Sequence, residues 1–238
     1  MICILFVLGT IFGSYFKLVI TKNSTANYKV NLFSICDHCH KKLKFYNKIP
    51  ILSFLFQGGK SSCCNKSLSI TYLISEFMCG LLFAILYLIY KDPKEAIILG
   101  IFFSLLISMS IIDIKTLDIY YLHIFLTFII SLILTKDKFH FKEEFLFKGL
   151  FMVLFLILGY ILSKLSYTGF GDILLILSLS TSLYFTEVFV FFLFMALIGG
   201  ISAIVIYLIK RNRKMKLPFV PIISLSFILV KIIKGMIL

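Results

Sequence analysis

Residues 96–113 read AIILGIFFSLLISMSIID: seventeen apolar or small residues without a charge, ended by an aspartate. A helix needs about 20 mostly apolar residues, with a range of roughly 17–25, to cross the hydrocarbon of a bilayer. This stretch has that length, and the rest of the chain repeats the pattern. Candidate spans lie at 1–20, 69–90, 96–112, 119–135, 145–163, 173–186, 188–209 and 222–238. Their length and the absence of period-2 alternation favour helices over a transmembrane barrel. The run from Ile173 to Ile209 is too long for one crossing, so it is split near Thr186 and Glu187.

Composition points the same way. Of 238 residues, 61% are hydrophobic and 15% charged. A soluble domain carries about 25% charged residues. An ordinary globule, a disordered chain and a disulfide-stapled secreted domain are therefore excluded. The formal charge of +13 does not indicate a nucleic-acid partner, because the basic residues sit in short gaps between apolar runs. The expected fold is an all-α polytopic membrane protein of about eight transmembrane helices with a small cysteine-containing cytoplasmic loop domain. The lipid bilayer is its first partner.

Basic loops stay in the cytoplasm. The segment after the first span holds Lys22, Lys29, Lys41, Lys42, Lys44, Lys48, Lys60 and Lys66 against one acid, Asp37. It is read as inside. Eight alternating spans then put 113–118, 164–172 and 210–217 inside too, and the last carries Lys210, Arg211, Arg213, Lys214 and Lys216. The outer loops, 91–95 and 136–144, are mixed in sign. The first span lacks a basic lead-in and a small-residue cleavage site, and is expected to be retained. The non-membrane unit, 21–68, is too small to bury its own core without a staple or a membrane surface.

The chain has eleven acids. Asp37, Asp92, Glu95, Asp137, Glu143 and Glu144 read as solvated loop charges. Glu76, Asp113, Asp118, Asp172 and Glu187 lie in or at the rim of spans, where a carboxylate is costly and marks a candidate site. Asp113 closes the third span and Asp172 opens the sixth, both on the rim assigned to the cytoplasm. Two close carboxylates cannot both ionise easily and share a proton. One then deprotonates a water while the other protonates the scissile carbonyl and later the amine. Gly169 and Gly171, just before Asp172, permit tight or left-handed backbone and close approach of a substrate chain. The competing reading makes the two acids interfacial caps, Asp172 as a helix N-cap. A transporter also places acids on helix ends.

The four cysteines of the inside loop are Cys36, Cys39, Cys63 and Cys64. A reducing compartment argues against structural disulfides. They read as a structural zinc site that staples the loop, with His38 or His40 as substitute ligands, or else as unliganded thiols. Glu76 is expected to face the loop or active site, or to pair with Lys17. Gly9 and Gly13 allow close helix contact. Asp118 reads as an N-cap of span four, Glu187 as an outer turn, and His123 as a satisfied buried histidine. Lys231 and Lys234 read as snorkelling or groove-facing.

With these residues in place, the chain resembles the type IV prepilin peptidases, bacterial inner-membrane aspartic proteases of the Gly-x-Gly-Asp class. The likeness runs in order through Gly13-Ser14-Tyr15-Phe16, Cys36-Asp37-His38-Cys39, Asn47 to Ser53, Ser69 to Glu76, Asp113, Gly169-Phe170-Gly171-Asp172, and Leu217-Pro218-Phe219-Val220-Pro221. The resemblance implies catalytic Asp113 and Asp172, with Gly169 and Gly171 in the active-site loop. It implies no cofactor for proteolysis, and S-adenosylmethionine where the new N-terminus is methylated. The implied substrate is a prepilin or pseudopilin with a basic leader, cut on the cytoplasmic side of the inner membrane. Residues 1–95 would form the N-terminal region and 96–238 the peptidase domain. Ser61, Leu174 and Lys17 depart from the family pattern and bear on methyl transfer more than on proteolysis. The non-enzymatic alternative is a small-solute transporter or a secretion-system scaffold. Within enzymes the runner-up is a presenilin-type protease, which has Tyr where this chain has Ile112.

Overall fold

The structure is a computed structural model. It describes residues 1–23, 36, 39, 41–42, 47, 49–135, 142–164, 169–210 and 217–237. Among these there is no strand; Lys60 and Ser67 form an isolated antiparallel pairing. The helices are α1 (Ile2–Asn23), α2 (Leu52–Phe56), α3 (Ile70–Tyr90), α4 (Pro93–Thr116), α5 (Tyr121–Thr135), α6 (Lys142–Lys164), α7 (Phe170–Thr181), α8 (Phe185–Lys210) and α9 (Val220–Ile237). Each expected span has its helix, and α2 is an extra short turn that the hydropathy pattern does not announce.

Among the described residues, α3, α4, α8 and α9 are long and apolar enough to cross a membrane, with shorter apolar stretches in α1, α5, α6 and α7. On α8, Phe189, Leu193, Leu197, Ile201, Ile204 and Leu208 are all exposed. An exposed apolar face of that extent belongs against lipid. The protein is a multi-pass membrane protein.

The helix ends follow local chemistry. Asp92 caps α4: its Oδ1 accepts from Lys94 N–H at 3.0 Å, with Pro93 at the first helical position. The acid read as mere surface charge therefore starts a helix, three residues before the expected span. Ser69 caps α3 through Thr71 N–H. The sixth span ends at Thr181, not Thr186. Hydroxyls of Ser178, Ser180, Thr181 and Ser182 bond carbonyls three or four residues back, offering the backbone an alternative to further helix.

The chain divides into two compact units, 1–104 and 105–238, with the boundary inside α4. In the first, α1 packs closely on α3. A Cβ at Gly9 would lie 2.6 Å from Cys79 O, and one at Gly13 2.8 Å from Ser75 O, so only glycine permits the approach. In the second, α7 packs against α5, α6 and α9. Small hydroxyls join neighbours there: Thr127 of α5 to Ser178 of α7 at 3.2 Å, and Ser110 of α4 to Ser224 of α9 at 3.0 Å. Such pairs satisfy polar groups where water is absent.

Candidate active site

Asp113 sits one turn before the end of α4 and is 5% exposed. Its Oδ2 accepts from the backbone N–H of Val220 at 3.0 Å, and Phe219 N–H donates to the same carboxylate. These are orphan amides at the start of α9, where a helix leaves its first N–H groups unpaired and presents positive dipole charge. Pro218 and Pro221 have no N–H, so the motif offers the two amides between them. The sequence pattern Leu217 to Pro221 marked this element only by likeness. Its role as the cradle of Asp113 is visible in three dimensions alone.

Asp172 is the third residue of α7 and half-buried. It is not an N-cap; Gly169 is, and Asp172 reaches back to accept from Gly169 N–H. That is half of a capping box. The charge of Asp113 acts on Asp172, and both acids lie within the second unit.

The glycines work through space rather than unusual dihedrals. Gly169 has φ −72°, ordinary extended backbone. A Cβ there would meet Asp172 Oδ2 at 2.9 Å, and one at Gly171 would meet Ile119 Cδ1 at 3.3 Å. Gly169 keeps room beside the carboxylate, and Gly171 lets the loop after α4 lie against α7. The expectation of left-handed backbone at these positions is corrected accordingly.

Asp118 lies three residues ahead of α5, too early to cap it, and its charge acts on Asp113. His123 is not satisfied: its buried Nδ1 has no hydrogen-bond partner among the described residues. An apolar cavity of about 480 Å³ opens between α5, α6 and α7, with Tyr121, Phe125, Leu156 and Leu174 in its wall. It favours apolar groups over water.

In the first unit, Glu76 is buried and accepts from Ile51 N–H at 2.6 Å and from the Ser14 side chain. Ile51 has φ 60°, a costly conformation for a β-branched residue. Glu76 thus ties α1, α3 and the loop together, as the loop-facing reading expected. The Lys17 side chain lies outside what is described.

Cys36, Cys39, Cys63 and Cys64 converge, their sulfurs all within 4.8 Å of one another. Cys36 and Cys64 Sγ are 3.8 Å apart, and Cys39 and Cys63 Sγ 3.1 Å. Four thiolates about 2.3 Å from one tetrahedral ion sit roughly 3.8 Å apart, so this donor set fits a metal ion. The irregular spacing is absorbed by the turn after Ser61, whose hydroxyl contacts Cys36 Sγ at 3.4 Å and Cys63 Sγ at 3.1 Å. Ser61 favours the Cys63 thiolate, but Cys39, Cys36 and loss of solvent push that thiol up to about 12. A bound ion would displace the proton. His38, His40 and Asp37 lie outside the described residues, as do Lys22's side chain, Lys29, Lys44, Lys48, residues 136–141, the loop at 165–168, the side chain of Lys210, and Arg211 to Lys216.

The Bacterial Peptidase A24 N-terminal domain matches residues 7–90, and the Type IV leader peptidase family matches residues 100–204. The second match contains both Asp113 and Asp172. The chain is 34% identical over 121 residues to a prepilin leader peptidase/N-methyltransferase of Bacillus subtilis, covering 48% of this chain and 46% of that protein. A protein of the same name from Klebsiella pneumoniae is 34% identical over 120 residues, 47% of this chain and 52% of its own. One from Dickeya chrysanthemi is 29% identical over 83 residues, 35% of this chain and 29% of its own. The chain thus spans about half the length, or less, of these relatives. No solved structure matches it.

Proposed function

Because the chain belongs to the type IV leader peptidase family, we propose that it is a membrane aspartic endopeptidase that removes the basic leader of type IV prepilins or pseudopilins. The observation that supports this reading is that Asp113 and Asp172 lie within one helical unit, where the charge of Asp113 acts on Asp172. One carboxylate takes a proton from water as the water attacks the scissile carbonyl. The other, protonated, gives its proton to the carbonyl oxygen. The tetrahedral intermediate then collapses as the amine leaves with a proton. The cradle of two N–H groups at α9 holds the Asp113 carboxylate at a set angle while this happens.

The substrate's basic leader and following apolar stretch suit a site at the cytoplasmic rim of the inner membrane. The lysine-rich loops support that side. Residues 96–238 are the peptidase part in this reading. N-methyl transfer is the second activity in the relatives' printed name; in this reading the new N-terminus would be the acceptor and S-adenosylmethionine the donor. A peptide with a basic leader, a glycine and an apolar stretch tests both activities. Mass spectrometry after incubation with purified protein and S-adenosylmethionine should show a cut following the glycine, and a mass increment of about 14 Da where methyl is added, the mass of one CH₂. An uncut peptide would leave the transporter or scaffold reading standing.

The four loop cysteines would hold a structural zinc that closes a segment too small to fold on its own. The purified protein should carry about one zinc per chain, and Cys36→Ser or Cys64→Ser should lose it. Metal-free wild-type protein with an intact loop would remove the zinc assignment.

A further inference from the structure

The end of α7 opposite Asp172 is held by lysines. Ser178 O accepts from Thr181 Oγ1, Leu179 O from Ser182 N–H and Oγ, and Ser180 O from Leu183 N–H. The next three carbonyls bond ammonium groups. Lys148 of α6 donates to Thr181 O at 2.8 Å and to Leu183 O, and Lys231 of α9 donates to Ser182 O at 2.7 Å. Glu187 accepts from Tyr184 N–H at the start of α8 and pairs with Lys234, whose ammonium lies 3.8 Å from the Tyr184 ring centre. Lys231 thus bonds the turn between α7 and α8 and Lys234 the first turn of α8, rather than snorkelling, and Glu187 is a first-turn helix residue rather than an outer turn.

This clamp is costly. Lys231 is 3% exposed, and a buried ammonium is destabilising unless its donors are met. A physical reason lies in the length of α7. Its 12 residues make a rod about 18 Å long, against roughly 30 Å of hydrocarbon. Its far end, where Ser182 and Leu183 are buried, therefore leaves its last carbonyls to donors from the protein itself.

The clamp also fixes a distance. α9 makes one contact at the site and one at the far end of α7: Val220 N–H holds Asp113, and Lys231 holds Ser182 O. From Val220 to Lys231 is eleven helical steps, about 16 Å; from Asp172 to Ser182 is ten steps, about 15 Å. The two runs nearly match, so clamping one pair of ends brings the other pair level. The Asp172–Gly169 contact cannot do this, because Gly169 caps Asp172's own helix.

We propose that Lys148 and Lys231 are positioning residues that set the depth at which Asp172 meets Asp113. The proposal rests on the reading of those acids as the catalytic pair, but its geometry is testable without it. Lys231→Met and the Lys148→Met/Lys231→Met double variant keep side-chain bulk and remove the donors. Cleavage should show kcat lower by about 10- to 100-fold, the range for a displaced catalytic group, with KM little changed. The acid limb of the kcat–pH profile should move, since the coupling between the carboxyls depends on their separation. Lys231→Arg, which retains donors, should restore most of the rate and the profile. Separately, Asp113→Cys with Asp172→Cys should give an oxidised 113–172 linked peptide by mass spectrometry, formed at least several-fold more slowly when Lys231→Met is added.

Wild-type kcat and pH profile in the double variant would overturn the proposal. So would activity lost only in proportion to folded protein, with the profile unmoved, or unchanged cross-linking. Failure of the catalytic reading itself appears differently, as an inactive wild type or an active Asp172→Asn. The cross-linking result still decides the clamp in that case.

Discussion

Asp172→Asn and Asp113→Asn each reach the membrane at wild-type abundance and lose leader cleavage by at least roughly a thousandfold. A carboxamide cannot take or return the proton that the attack on the carbonyl requires, and acid–base catalysis by one positioned group contributes about 10²–10⁴-fold. The fold should tolerate both changes. With Asp113→Asn, the carboxamide oxygen still accepts from Phe219 and Val220 N–H; with Asp172→Asn, it still accepts from Gly169 N–H. Cleavage of a co-expressed prepilin, compared with membrane-fraction abundance, separates chemistry from insertion. Either variant cutting at the wild-type rate would remove that aspartate from the mechanism.

Val220→Pro tests the cradle. Val220 is the first residue of α9, a position where proline fits a helix. The change leaves the helix start in place and removes one donor, the amide 3.0 Å from Asp113 Oδ2. A hydrogen bond to a charged group contributes about 1.5–3 kcal/mol, so activity should fall about 10- to 150-fold. Val220 is fully buried, so part of any loss comes from packing. Val220→Ala removes comparable packing and keeps the N–H. The proline variant should be far less active than the alanine variant. Equal rates for the two would show that the amide does nothing for Asp113.

Much of this was legible in the sequence. Eight apolar runs became eight apolar helices because hydrocarbon admits few alternatives to a backbone bonded within itself. The acids at 113 and 172 stood out because carboxylates in spans are scarce and costly. The cysteine set was recognisable as a ligand cluster, although its spacing is irregular. Where the reading failed, the governing interaction was between segments distant in sequence. The sixth span was expected to run to Thr186 because hydropathy continues that far. It stops at Thr181, where hydroxyls of its own last turn take backbone carbonyls and lysines from α6 and α9 bond those of the following turn. For Lys231 and Lys234 the sequence left snorkelling and groove-facing both open, because their partners lie 49 and 47 positions away.

Sequence alone determined that the chain lives in a membrane as helices and that five acids, Asp113 and Asp172 among them, are conspicuous, since both follow from the cost of transferring charge and bare peptide groups into hydrocarbon. Tertiary structure decided how those acids are held. The amides before Pro221 grip Asp113, a missing Cβ at residue 169 leaves room for Asp172, and lysines at the other end of α7 set its depth. Such contacts depend on where helix ends arrive in space, and one-dimensional spacing carries no record of that.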